Sequence, residues 1–485
     1  MPAFEPWRAV LAVLLLVYVG GLLVLGLRSR RQIRDVADYL VAGRRLSTPL
    51  TAVTLLATWF GAGTLLTATD EIRAGGLRRA ALDPIGAGLC LVVCGWFFAG
   101  PLWRAQLLTL PDWYGRRFGP RAERLAALVM VPGYLGWVAA QLVALAGLLE
   151  VLFGLPLPAG LVAASTVATV YTLAGGLWSV ARTDAVQMAL VVVGVLVLGG
   201  ATLGALGGGD PVAGVGVLFR ETPGEALVVV PTEDATALLG WSNVLAIGVL
   251  GNLPGQDLMQ RVFAARSEVV AVRACHLAGA AYLVLGLVPM GLGLAAGLLP
   301  GLPDGATVPA LGEALLSPVW LIPFVVGLVS AVLSTIDGAI LSPAGVLAQN
   351  LLAPVLRPAT PSAALRLQEV AVLLIALASL GAAFAGASAY ELLEASYAVG
   401  LVGLLVPLAI GLYSPRGGET AAVTSMATGT GVWLVHLVLG WEAFLGPWLA
   451  PAPPIPMELA AFAAGAVAYP LGARWAGGVG DAGRS

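Results

Sequence analysis

The strongest constraint on this chain is a succession of apolar runs long enough to cross a bilayer, joined by short loops. A helix of roughly 20 apolar residues spans hydrocarbon. There the backbone must satisfy its own hydrogen bonds, so only helices or closed barrels can cross. Thirteen runs can be marked, numbered here as spans 1 to 13: about 8–27, 49–69, 82–100, 124–150, 158–175, 184–206, 236–256, 271–298, 317–340, 367–387, 392–413, 420–440 and 456–473. Only 11% of residues are charged, against about 25% in soluble domains. The chain reads as an all-α polytopic membrane protein, one transmembrane domain over 1–485. Span 1 lacks a basic leader region and is followed by Arg28, so it reads as a span rather than a cleaved signal.

Several function classes drop out. The net charge is −2 and no basic cluster is interleaved with aromatics, which speaks against nucleic acid as a partner. All 25 basic residues are arginine, so no Schiff-base or phosphate-loop lysine exists. There is no HExxH and no metal-ligand cluster, and no polar segment is long enough for a catalytic domain; the expectation is a protein that is not an enzyme. Cys90, Cys94 and Cys275 lie in apolar runs and read as small buried hydrophobes. His276 and His436 read as packed or interfacial. Nothing points to an obligatory protein partner; the surroundings implied are lipid.

Orientation follows from arginine. With the N-terminus outside and the C-terminus cytoplasmic, 20 of the 25 arginines fall on the inner side. That bias sets topology in a cytoplasmic (inner) membrane. Arg78 and Arg79 run against it.

Span 2 carries Leu55-Leu-Ala57-Thr58-Trp59-Phe60-Gly61-Ala62-Gly63-Thr64 at its centre. Two glycines lower helix propensity by about 1 kcal/mol each. One reading is a small-residue packing seam; the other is a broken helix lining a protein-enclosed cavity. Span 7 is interrupted as well, at Gly251-Asn252-Leu-Pro254-Gly255-Gln256-Asp257. Two interrupted spans, five apart, match a five-plus-five inverted repeat: about 49–206 and about 236–413, flanked by 8–27, 420–440 and 456–473.

Span 9 contains Ser330-Ala331-Val-Leu-Ser334-Thr335-Ile-Asp337-Gly338. Adjacent hydroxyls and carbonyls freed by a break in span 2 can form a neutral oxygen cage for a monovalent cation. The alternative is that both hydroxyls bond back to the preceding turn. Between spans 5 and 6, Thr183 or Asp184 reads as an N-cap of span 6, or Asp184 as an acid facing an inner vestibule on a cation's exit path. Asp83 reads as an N-cap ahead of Pro84, or as an acid meeting a cationic group.

With these residues in view, the chain resembles the sodium:solute symporter family. The resembling stretches are Asp38-Tyr39-Leu-Val-Ala-Gly43-Arg44, Thr109 to Gly119, Tyr171 to Gln187, Gln260-Arg261 and Ser334-Thr335-x-Asp337, and the resemblance as a whole covers roughly 30 to 415. The resemblance implies a leucine-transporter-type fold and symport of a small organic solute with sodium. It implies a sodium site made by the carbonyls of Ala57, Phe60 and Ala331 with the hydroxyls of Ser334 and Thr335, and it makes Asp184 the acid beneath that site. Residues 57–63 also resemble the choline-transporting branch, and Trp137 falls on an aromatic pocket position of that branch. Ala87 and Gly255 stand where it has Tyr and Trp, which removes two faces that a quaternary ammonium uses. The substrate-binding candidates are Trp59, Gly61, Thr64, Asp83, Ala87, Trp137, Asn252, Gly255 and Gln256. Rival expectations are proton coupling through Asp184 or Asp337, and a membrane solute sensor that does not transport.

Overall fold

The computed structural model describes residues 6–303, 305–386, 389–449 and 454–482. Among the described residues, ten helices are long and apolar enough to cross a membrane, or eleven if a bent pair, Thr48–Trp59 with Gly63–Gly75, counts as one span. One of the ten, Leu157–Leu206, is 50 residues long and holds two expected spans. Met457–Ala482 lies at the last expected run. Met457–Ala482 is not counted among the ten. Shorter helices lie between spans, among them Val36–Val41, Leu110–Phe118, Pro211–Glu221 and Thr307–Leu315.

The joint between spans 5 and 6 differs from the expected loop. Helix runs through it, interrupted at Gly176, whose φ of 56° and ψ of −164° no residue with a side chain adopts comfortably. A Cβ there would stand 2.6 Å from the Tyr39 carbonyl oxygen. Thr183 and Asp184 therefore sit inside the helix, and the N-cap reading of either is overturned. Thr183 Oγ1 instead donates back to the carbonyls of Ser179 or Val180, at 3.1 and 2.9 Å.

The spans differ in what surrounds them. Leu16 and Val17 of span 1 (Pro6–Arg30) are exposed on its outer face, which is where lipid would lie. Span 9 begins with Pro318–Val346, and every residue from Gly327 to Val346 is buried. A helix buried on all sides is a core element, and this one packs along spans 5 and 6. Its buried Ser330, Ser334, Thr335, Asp337 and Ser342 are costly there unless groups inside the protein satisfy them.

Close backbone approach brings the interrupted spans to their neighbours. A Cβ on Gly251 would fall on the Tyr397 carbonyl, and one on Gly400 on the Gly251 carbonyl. Spans 7 and 11 thus touch backbone to backbone, as small residues allow.

Gly176→Ala forces a disallowed backbone and a clash with Tyr39. It should lower stability by about 1–3 kcal/mol, read as a lower unfolding temperature of the detergent-purified protein; an unchanged temperature would contradict the break described here.

Candidate ion and solute sites

Span 2 breaks where its glycines stand. Thr48–Trp59 ends with Phe60 at ψ 61°, and helix resumes from Gly63 after a bend of 54°. The break leaves the Trp59 carbonyl in the interior. It accepts from the Gly61 amide at 2.8 Å, and the Thr64 and Tyr282 hydroxyls lie 3.2 and 3.1 Å away. The bend is stable in an apolar interior because hydroxyls replace the missing helical donors.

The Ala57 carbonyl, one half-turn earlier, faces span 9. Ser334 Oγ lies 3.2 Å and Thr335 Oγ1 3.4 Å from it; both hydroxyls also reach the Ala331 carbonyl, each at 3.0 Å. Back-bonding to Ala331 and proximity to the break therefore hold together. The Phe60–Gly61 peptide belongs to the same place: a Cβ on Gly61 would strike Thr335 and stand 3.3 Å from the Ala331 oxygen. Four of the five expected ion-site residues, Ala57, Ala331, Ser334 and Thr335, bring neutral oxygens together on two helices, with Phe60 in the chain next to Gly61; such oxygens suit a hard monovalent cation.

A buried charged layer lies beside this cluster. Thr54 Oγ1 donates to Asp184. Arg261, fully buried, donates through Nε to the Thr54 carbonyl at 3.2 Å and through Nη1 to the Asp257 carbonyl at 2.9 Å. Among the described residues, no hydrogen-bond partner is found for either Asp337 carboxylate oxygen, Asp184 Oδ1 or Arg261 Nη2. The Arg261 guanidinium packs on Gly338, where a Cβ would come within 2.5 Å of Nη2.

On the other side of Trp59 is a small cavity. Trp59, Trp137, Asn252 and Gly255, four of the expected solute residues, are on its wall. The other five are not. Gly61 faces the ion cluster, as described. Ala87 is buried in the core away from this wall. The Gln256 side chain accepts from the Leu110 amide at 2.6 Å and so caps the helix Leu110–Phe118. Thr64 and Asp83 belong to a separate buried cluster with Tyr282, where Asp83 faces the Thr64 and Tyr282 hydroxyls. No backbone amide is among the partners found for the Asp83 carboxylate, so the N-cap reading is not the one observed.

The wall also holds residues that sequence reasoning passed over: Tyr134, Asp257, Ser396 and Tyr397. Asp257 accepts from Trp59 Nε1 at 2.5 Å and from the Tyr134 hydroxyl, which orients both rings. The signal was present. Tyr134 is three residues before Trp137 and shares its helix face, and Asp257 directly follows the interruption in span 7.

A model of the sodium:solute symporter family matches residues 39–429. The human high affinity choline transporter 1 is 30% identical over 332 residues, covering 64% of this chain and 55% of that protein's length. That of Caenorhabditis elegans is 26% identical over 429 residues, covering 84% and 71%. In structure the chain is similar to a Na+-coupled sialic acid symporter in a substrate-bound outward-open state, with TM-score 0.77 at 16% identity over 96% of this chain and 98% of that one. It is also similar to Mhp1, a nucleobase-cation-symport-1 family transporter, with TM-score 0.60 at 17% identity over 91% and 95%. These similarities establish the leucine-transporter-type fold expected from the sequence.

Asp257 holds Trp59 and Tyr134 by charge-assisted bonds. In a double-mutant cycle of Trp59→Phe with Asp257→Ala, the two losses of stability should overlap by about 1.5–3 kcal/mol, the worth of a hydrogen bond to a charged group. Additive losses in thermal unfolding would contradict the contact.

Proposed function

Because the chain belongs to the sodium:solute symporter family, we propose that it is a secondary active transporter that carries a small organic solute inward together with sodium. The observation that supports this reading best is the sharing of one break. The Ala57 and Phe60 carbonyls at the break would bind sodium with Ala331, Ser334 and Thr335. Trp59, between them in the chain, turns to the neighbouring cavity. Ion and solute thus act on the same short piece of span 2, and either one binding would order it for the other. This is linkage: each ligand changes the other's affinity by the same factor.

In this reading the solute occupies the cavity beside Trp59, Trp137, Asn252 and Gly255, and Asp184 stands next to the ion's route to the cytoplasm. A membrane potential of 100 mV supplies about 2.3 kcal/mol per charge, and a tenfold sodium gradient about 1.4 more. One sodium then sustains accumulation of a neutral solute by roughly several hundredfold. The two halves, about 49–206 and 236–413, would rock against each other around the site. We read the chain as a transporter and not an enzyme, since its family and the relatives described above are transporters. Proton coupling is the second reading, and the fully buried Asp337 carboxylate is what favours it.

The protein is a multi-pass membrane protein, and the arginine distribution supports an inner-membrane location with the N-terminus outside and the C-terminus cytoplasmic. Cysteines placed at the exposed positions Ala359 and Gly208 should be labelled from the inside and the outside respectively; the opposite pattern would reverse the topology.

Ser334→Ala combined with Thr335→Ala removes two oxygens from the proposed cage. Uptake in proteoliposomes should lose its sodium stimulation, while each single variant should need several-fold more sodium, about 1 kcal/mol of ion affinity for each ligand lost. Wild-type sodium dependence in the double variant, or uptake driven by a proton gradient without sodium, would overturn the assignment.

A further inference from the structure

We propose that Asp83 is the counter-charge for a solute that carries a protonated amine with at least one N–H. This rests on reading the cavity region around Trp59 as the solute path. Asp83 is buried, and hydroxyls are the donors found for its carboxylate. Thr64 Oγ1 lies 3.0 and 2.9 Å from its two oxygens, and the Tyr282 hydroxyl 2.9 Å from Oδ1. Those two hydroxyls also lie 2.5 Å from each other and within 3.2 Å of the Trp59 carbonyl. Each has one proton to give. Two protons are therefore divided among the carboxylate, the Trp59 carbonyl and the hydroxyls themselves, which leaves carboxylate lone pairs without a donor.

No arginine pairs with Asp83 among the described residues. Arg79, on the wall of the same cavity, stands 3.8 Å from Glu71. A buried carboxylate short of donors and without a cation is costly unless a ligand completes it. A small space next to it holds about one water-sized group, the size of an ammonium head. It is lined by Asp83, Gly63, Leu393, Tyr390 and Tyr397. Tyr397 also lines the larger cavity beside Trp59, so the two spaces meet at one side chain. At Gly63 even a Cβ would stand 3.4 Å from Asp83 Oδ2, so a bulkier side chain there would wall off the carboxylate.

Two further observations agree on the sign of the charge. Tyr390 and Tyr397 put two aromatic rings on the wall, and such rings attract a cation. Around Tyr390, Glu71 and Glu394 lie in electrostatic range, and Glu391 and Glu458 act on Glu394 in turn. Acids outnumber Arg79 at this end of the cavity, and such a field draws cations in. The N–H requirement comes from the lone pairs: an ammonium proton satisfies them by a charge-assisted bond, whereas N-methyl groups have no donor and hold the charge farther off.

Ethanolamine and choline share a hydroxyethyl arm and differ in N–H, so they serve as probes. Calorimetry on the purified full-length protein in sodium buffer should show ethanolamine binding about tenfold or more tighter than choline. Asp83→Asn should erase that preference while sodium alone still raises its unfolding temperature. Asp83→Glu, which keeps the charge, should retain the preference and guards against a folding defect in the first variant. Choline binding as tightly as ethanolamine, an unchanged preference in Asp83→Asn, or no ethanolamine binding up to about 100 mM would overturn the proposal. If the preference stands but sodium has no effect on either affinity, the symport reading fails and the role of Asp83 survives.

Discussion

Everything distinctive in this protein depends on how the Trp59 carbonyl is satisfied. In an apolar interior a helix can stop only where other donors replace its own. The Gly61 amide, Thr64 and Tyr282 supply them here, and the chain turns through 54°. That turn exposes the Ala57 carbonyl to span 9 on one side and swings the Trp59 ring toward Asp257 on the other. Gly61 is required for a local reason: any side chain there would occupy the position of the Thr335 hydroxyl.

From the break, contacts spread in two directions. Toward span 7, Trp59 and Tyr134 converge on Asp257, and Arg261 ties the Asp257 carbonyl back to Thr54 on span 2. Toward span 6, Thr54 reaches Asp184. A movement of span 2 would therefore be felt by both interrupted helices and by the charged layer between them. Arg261, Asp184 and Asp337 form a buried cluster in which, among the described residues, no partner is found for several polar atoms. Such a layer is stable in one arrangement only if its charges balance, which makes it suited to a switch between two.

Much of this was legible in the sequence because bilayer physics is severe. Span lengths, the break at Gly61 and the oxygen-bearing residues on span 9 all follow from what hydrocarbon permits. The joint between spans 5 and 6 was not legible: Gly176 breaks the helix by backbone geometry alone, so no polar loop marks it, and Thr183 and Asp184 resemble a cap without being one. Side-chain reach was the second blind spot. Gln256 follows an interruption like a pocket residue, yet its amide turns to the Leu110 backbone. Asp83 precedes a proline like a cap, yet its carboxylate faces the hydroxyls of Thr64 and Tyr282, on spans 2 and 8. Tyr397 sits in a span rich in small residues, where nothing but three-dimensional packing reveals that it borders two cavities.

The central claim is that one break in span 2 serves both ligands. The direct measurement is a pair of titrations on the purified wild-type protein: solute affinity at rising sodium, and sodium affinity at rising solute. If the break is shared, sodium will tighten solute binding by roughly 5–150-fold, a coupling of about 1–3 kcal/mol, and solute will tighten sodium binding by the same factor. Two affinities that do not depend on each other would contradict the account.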